Sequence, residues 1–414
     1  MRSTLLAAFM ALTIGVRMAA VAGDACAAEW SIEPSVSARG EYDDNIRLTA
    51  APHPTVWGLI VSPAVNFNAE TENAKLTGGL AVNVNRYFGE EGLDTTDHYL
   101  TLQGSYRRER DLVGATVQSI GDSTLVSELL ETGVVEARRQ RRRLTANPTW
   151  THALDETTAL TAAFAFSNVD YRDTRGTNLI DYTDQTATLG MNRRIGERGL
   201  ATVTAYYDRY QTRPDDYTAG TYGVQGQYDY DFSETFRGTL GAGVRRTRSS
   251  VSSQALVCQG PILFGFCFGT IEVAVFVRDE SITGYTALAA VDRRWQADRL
   301  VANLSRQVNP TGIGALVQTD RAGATWTHQW SPTVTSTLEA AAYRSRYLGS
   351  HVAASDSDFY RLKSSVTWRL SEWWSVMGGY SFSRVTYQSN PAKAMGNLAY
   401  VTVAYTWPKL SVSR

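Results

Sequence analysis

A hydrophobic period of two, sustained over segment after segment, limits what this chain can fold into. From Tyr360 to Leu370 one phase is Tyr360, Leu362, Ser364, Val366, Trp368 and Leu370, and the other is Arg361, Lys363, Ser365, Thr367 and Arg369. Leu76, Gly78, Leu80, Val82 and Val84 oppose Thr77, Gly79, Ala81, Asn83 and Asn85, and Ala201, Val203, Ala205 and Tyr207 oppose Thr202, Thr204, Tyr206 and Asp208. Side chains alternate between the two faces of a strand, so each segment is a strand with one greasy face and one polar face. From Trp30 onward no apolar run is long enough to cross a bilayer as a helix. Long strands of this kind suit a membrane barrel, because hydrocarbon offers no water to satisfy an open sheet edge. A soluble sandwich or solenoid is the alternative, with strands usually of about five or six residues.

The turns set the topology. Short polar connections fall at Glu70 to Asn73, Glu109 to Leu112, His152 to Thr157, Ile195 to Arg198, Asp231 to Thr235, Gln296 to Arg299, Trp330 to Thr333 and Leu370 to Glu372. Longer, more variable loops are expected near 44–56, 88–97, 121–138, 172–182, 211–220, 249–281, 309–316, 347–357 and 388–396. The expected fold is all-β, a transmembrane antiparallel β-barrel of about 18 strands, or about 16 without the hairpin near Leu112 to Gln118. Short turns would face the periplasm and long loops the exterior, with both termini on the short-turn side. Such a width leaves an aqueous channel. Trp150, Trp295, Trp326, Trp330, Trp368, Trp373, Trp374 and Trp407 cluster near strand ends, as an interfacial girdle requires.

Composition agrees with one membrane domain. The 414 residues carry 40 Lys+Arg against 41 Asp+Glu, which excludes a polybasic nucleic-acid binder, and the 11 prolines form no linker. Residues 1–28 have the form of a cleaved secretory signal: Arg2, an apolar stretch from Leu5 to Val16, then small residues to Ala28. The apolar stretch is too short for a membrane anchor. Cys26 follows Gly23-Asp24-Ala25, without the apolar residue that lipidation expects, so residues 29–414 are expected as a barrel without a lipid anchor. Bacterial outer membrane is the expected location, with membrane lipid, lipopolysaccharide and the barrel-insertion machinery as partners. Cys258 and Cys267 are candidates for a local disulfide in an oxidising compartment, or else a pair of buried free thiols.

If the greasy phase faces lipid, the opposed phase lines the lumen. Candidate lining residues are Arg143, Arg194, Asp208, Arg237, Arg245, Arg361, Lys363 and Arg369, with Arg39, Glu41, Arg321, Asp184, Asp229 and Asp231 on the same inferred side. A mixed lining suits a hydrated, hydrogen-bonding solute better than a purely electrostatic filter, although such charges can also simply pair and solvate the wall. The run Arg138 to Arg143 follows a loop holding Glu128, Glu131 and Glu136, and is expected at the outer rim, gripping anions or compensated by those acids. Ser123 to Glu131 could form a short helix capped by Asp122 or Ser123. The apolar segment between Cys258 and Cys267 needs burial, either across the mouth as a constriction or as an extended hairpin packed on other loops. No catalytic, cofactor or metal pattern emerges. Gly121-Asp122-Ser123 resembles the start of an esterase motif, but no Asp-x-x-His follows, and the five histidines are dispersed.

The element Tyr42-Asp43-Asp44-Asn45-Ile46 after the first strand, and the ending YVTVAYTWPKLSVSR, resemble the outer-membrane β-barrel porin 2 family, which includes EpsL-like proteins associated with exopolysaccharide operons. The resemblance implies a passive conduit for polysaccharide, with a general small-solute porin or a non-conducting structural or adhesion barrel as alternatives. Locally, Asp43, Asp44 and Asn45 can bond nearby amides and end the strand, but are too few for a calcium site. Pro408 to Arg414 has the form of a polar tail behind the last aromatic strand.

Overall fold

A computed structural model describes residues 29–50, 52–126, 128–132, 138–213, 216–259, 262–263, 266–267, 270–349, 356–388 and 390–413. The expected signal segment lies outside them. The strands are β1 (Glu29–Asp43), β2 (Val56–Glu70), β3 (Ala74–Phe88), β4 (Thr95–Arg108), β5 (Asp111–Ser123), β6 (Gln140–Ala153), β7 (Thr158–Tyr171), β8 (Asp181–Ile195), β9 (Gly199–Arg213), β10 (Tyr217–Ser233) and β11 (Phe236–Cys258). After a small ribbon, β12 (Ile262–Leu263) and β13 (Phe266–Cys267), come β14 (Ile271–Arg294), β15 (Asp298–Pro310), β16 (Leu316–Gln329), β17 (Val334–Tyr347), β18 (Ser357–Arg369), β19 (Trp374–Tyr387), β20 (Asn390–Thr406) and β21 (Leu410–Ser413). One short helix, α1 (Glu128–Thr132), lies between β5 and β6.

Each wall strand pairs antiparallel with the next, β11 meeting β14 past the small ribbon, and β20 returns to β1, closing an 18-strand barrel. The tail differs from expectation. Leu410 to Ser413 pairs with Ile32 to Glu29, so β21 resumes the last strand beyond a break at Pro408, whose ring cannot donate to the ladder. The Tyr42 to Ile46 element ends β1 as its side chains predict. Asn45 N–H donates to Asp43 Oδ1 at 2.8 Å, and Asp44 accepts from the Asn397 backbone and side-chain amides at 2.7 Å each.

All eight short turns close where polar residues mark them. Asp155 Oδ1 accepts the Thr157 hydroxyl at 2.8 Å and the amides of Thr157 and Thr158 at 2.7 and 2.8 Å, and these bonds, the hydroxyl's first, pull its carboxyl pKa down to about 2. Ser371 Oγ accepts from the Trp373 and Trp374 amides in the same way. Gly196 supplies the positive φ of the Ile195 to Gly199 turn.

Exposure follows the phase. Leu240 and Val244 are 69% and 67% exposed, and Leu362, Val366 and Trp368 share that outward phase on β18. Outward tryptophans 150, 326, 330, 368 and 374 mark the short-turn edge of this apolar belt. At its other edge the outward phase turns basic, at Arg86, Arg142, Arg209, Arg246, Arg306, Arg344 and Arg384. An apolar belt between an aromatic edge and a charged edge is the surface of a transmembrane barrel. Fully buried side chains gather inside the long-loop end, in two clusters.

Candidate functional site

The inward phase carries the charges. The ladders place Arg143 (β6), Asp208 (β9), Arg245 (β11), and Arg361 and Lys363 (β18) on the face opposite the apolar belt, well inside the barrel. Arg194, Arg237 and Arg369 share that phase but stand at the short-turn rim, where Arg237 pairs with Asp231 at 2.6 Å and Arg369 donates to the Pro332 carbonyl at 2.6 Å. Within the barrel, Lys363 meets Glu339 at 3.4 Å and Thr186 donates to Asp208 at 2.7 Å. Arg39 sits 2.8 Å from Glu41 and stacks over Tyr400. Arg361 and Arg321 have no ion pair among the described residues, and Arg321 lies over the Tyr343 ring.

Two segments fold inward across the long-loop end. The first follows β5, where Thr124 and Arg139 join by an amide-to-carbonyl bond of 2.9 Å, and carries α1 into the barrel. Leu129 of α1 packs against Tyr343, Phe359, Val385 and Ala394 on the wall of β17 to β20. The second is the β15–β16 loop, Thr311 to Ala315, which turns on Gly314 at φ +73°. Its carbonyls accept from Tyr210 Oη at 2.8 Å (Thr311) and from the Ile180 amide at 2.6 Å (Gly312).

The segments meet at Glu128. Oε1 accepts the Gly312 amide at 3.1 Å and Oε2 accepts the Tyr171 hydroxyl at 3.0 Å. Burial raises the Glu128 carboxyl pKa, against the opposing pull of Arg141, the Gly312 N–H and Tyr171. Arg141, 2% exposed, pairs with Glu131 at 3.1 Å, and Arg143 reaches the same carboxylate at 2.6 Å. Burying charges is costly unless they are paired and hydrogen-bonded; the terminal guanidinium nitrogens here meet Glu131, while Arg141 Nε and Arg143 Nε are buried with no acceptor among the described residues.

A short ladder explains why the second segment can enter. β14 and β15 pair only from Arg294↔Arg299 to Ala287↔Arg306, whereas β15 and β16 stay paired to Pro310↔Leu316. Beyond Arg306 the hairpin is therefore free of β14 and bends inward. Val308 and Leu316 then pack on Tyr182, Tyr210 and Tyr217, and Arg245 donates to Gln318 Oε1 at 3.0 Å.

Several expectations are corrected here. Residues 249–281 do not form a long loop. β11 and β14 stay in register from Phe236↔Arg293 to Cys258↔Ile271, since alternation continues through Val251 and Val277 and the ladder extends with it. The hairpin is extended up to Cys258 and Ile271, and the side chains at 261–269 lie outside the described residues. Cys258 is disulfide-bonded; the Cys267 side chain lies outside the described residues. Residues 390–396 belong to β20. Arg143 lies inside as a lining residue, as expected, and Arg141 joins it there and not on the rim, because strand alternation sends only Arg142 outward; Glu131 compensates both. The helix starts at Glu128 and not at Ser123, whose carbonyl instead accepts the Val126 amide in a turn.

The sequence reading missed Glu128 as a junction, with Leu129, Tyr171, Tyr210 and Gly312. Signals existed: inward-phase tyrosines at strand ends, and Ile313 between glycines in a loop that must bury it. No group of three or more metal-binding side chains occurs among the described residues.

No family model matches the chain, and the search of curated proteins finds no match. Solved structures similar to it include OccK2 (OpdF) of Pseudomonas aeruginosa in complex with glucuronate, with a TM-score of 0.46, 11% identity and coverage of 91% of this chain and 97% of that one. Acinetobacter baumannii OccAB2 gives 0.45, 11%, 91% and 98%. The open form of the ferric-catecholate import receptor Fiu from E. coli K12 gives 0.46, 9%, 91% and 81%.

Proposed function

We propose that this chain is a bacterial outer-membrane channel for small hydrated solutes, closed at its long-loop end by the contact of α1 with the β15–β16 loop. The observation that carries this reading is an 18-strand barrel with a polar inner face, stoppered by chain segments joined through side-chain hydrogen bonds. A barrel this wide cannot fill its interior with wall side chains alone, so water occupies what the stopper leaves. Short turns face the periplasm and long loops the exterior, the usual arrangement of such barrels. No chemistry is assigned to the wall; transport is passive and non-catalytic. Arg321 and Arg361, inward and without ion pairs among the described residues, give the passage a bias toward anions. The exopolysaccharide role rests on the family resemblance alone, and a stoppered mouth fits a polymer less well than a small solute.

Planar-bilayer recording tests this. Current with a reversal potential favouring anions under a salt gradient is expected, and Arg321→Glu with Arg361→Glu should move that potential toward cations. A folded barrel that never conducts, even with Thr311 to Ala315 shortened, refutes the channel and leaves a structural barrel.

A further inference from the structure

We infer that the outer face of β9, β10 and β11 holds a binding site for the phosphate of a membrane glycolipid. Gly220 of β10 faces Arg209 of β9 on one side and Arg248 of β11 on the other. One row nearer the short turns stand Tyr207, Tyr222 and Arg246, and below them the apolar Ala205, Val224 and Val244. The glycine leaves a notch of about 420 Å³ between the two arginines. A Cβ at Gly220 would come within 3.1 Å of the Tyr207 hydroxyl, so any side chain there would intrude on it.

Two cations unpaired among the described residues flank this notch. Arg86 is 3.5 Å from Asp94, Arg344 is 2.9 Å from Asp358, and Arg306 pairs with Asp320, so those cations are neutralised. Arg142 and Arg384 have no ion pair among the described residues, but Arg142 faces Asp170, and Arg384 faces Tyr360 and Met395, so neither meets a second arginine across its strand. Arg209 has no ion pair among the described residues. Arg248 lies 5.9 Å over the Tyr222 ring, and Arg246 donates to Ser281 Oγ at 2.9 Å. Two acids line the notch: Asp279 on the far rim beside Ser250, and Glu280, which pairs with Arg278 at 3.1 Å. Arg209 and Arg248 are two strands apart, about 9.6 Å at the backbone, so their guanidinium groups can converge on one phosphate above the glycine. The site lies where the apolar belt ends, which puts a bound phosphate at headgroup depth with acyl chains against Val224 and Val244. This geometry selects a lipid over a free anion.

The test is native mass spectrometry of the full-length barrel in neutral detergent, with lipid A, dephosphorylated lipid A or inorganic phosphate as probe. A retained lipid A adduct is expected, at least tenfold weaker in Arg209→Gln/Arg248→Gln and in Gly220→Val, and unchanged in Arg344→Gln. Heat-modifiable gel mobility selects variants that are folded. Equal retention of the dephosphorylated lipid, equal loss in Arg344→Gln, or undiminished binding by the folded variants overturns the site. Inorganic phosphate that displaces lipid A at equal concentration overturns the lipid as its occupant.

Discussion

Glu128→Ala should open the channel. Glu128 is 5% exposed, and its two oxygens hold the Gly312 amide and the Tyr171 hydroxyl, both buried donors. Removing the acceptor while the segments stay in place strands both donors, at about 1–3 kcal/mol each. Arg141 keeps Glu131 as a partner, so no bare buried cation is added to the cost. Part of the penalty relaxes as the segments move, leaving a shift of about 2–4 kcal/mol, or about 30- to 1000-fold in the ratio of closed to open. Single-channel recording reads this as open fraction. Leu129→Ala is the matched control, since it loosens α1 from Tyr343 and Phe359 by losing apolar contact and leaves the carboxylate alone. If folded Glu128→Ala keeps the open fraction of the parent, Glu128 is not the fastening and the reasoning fails.

Acid should close the parent channel. The buried Glu128 carboxyl, facing Arg141, Glu131, Tyr171, Tyr182 and Tyr210, has a raised pKa, whereas a released one titrates normally. The closed form thus binds the proton more tightly, and the open fraction climbs as pH rises from the ordinary carboxylate range through that raised value, a climb that Glu128→Gln abolishes. Gly312→Ala should also raise the open fraction, because its Cβ would overlap the Tyr171 phenol; conductance equal to the parent would show that the loop is not held there. Leu240→Arg, in the middle of the belt, should cost about 2–4 kcal/mol in denaturant titrations of the vesicle-inserted barrel. No loss would mean that this face does not meet hydrocarbon.

The barrel was legible because its rule is local. Alternation at Tyr360 to Leu370 fixes which side chains meet lipid, and polar turns such as Leu154 to Thr157 fix where each strand reverses, so the strand count follows without any tertiary knowledge. The stopper obeys no local rule. Glu128 and Gly312 lie 184 residues apart and meet only because an 18-strand circuit returns β15 opposite β5. Hydrophobicity alone leaves the apolar stretch near Cys258 equally open to a constriction or an extended hairpin. Its alternation, continuous with β11 and β14, was the more informative property.

Strand closure and stopper differ in how they are held, and that difference allows one to move without the other. Along the wall every strand shares a ladder with both neighbours, and the bilayer makes each broken ladder bond costly. The β15–β16 tip has left its ladder with β14 beyond Arg306, above the belt, where water can replace a lost bond. What anchors it is Glu128, Tyr210, the Ile180 amide, Gln318 and a few apolar contacts. A segment fastened by so few interactions lies at the low-stability end of the molecule, while the hydrogen-bonded wall lies at the high end. Opening can therefore be frequent in a barrel that itself never unfolds on the same timescale, and the Glu128 carboxylate sets the balance because from α1 it bonds both the loop and the wall.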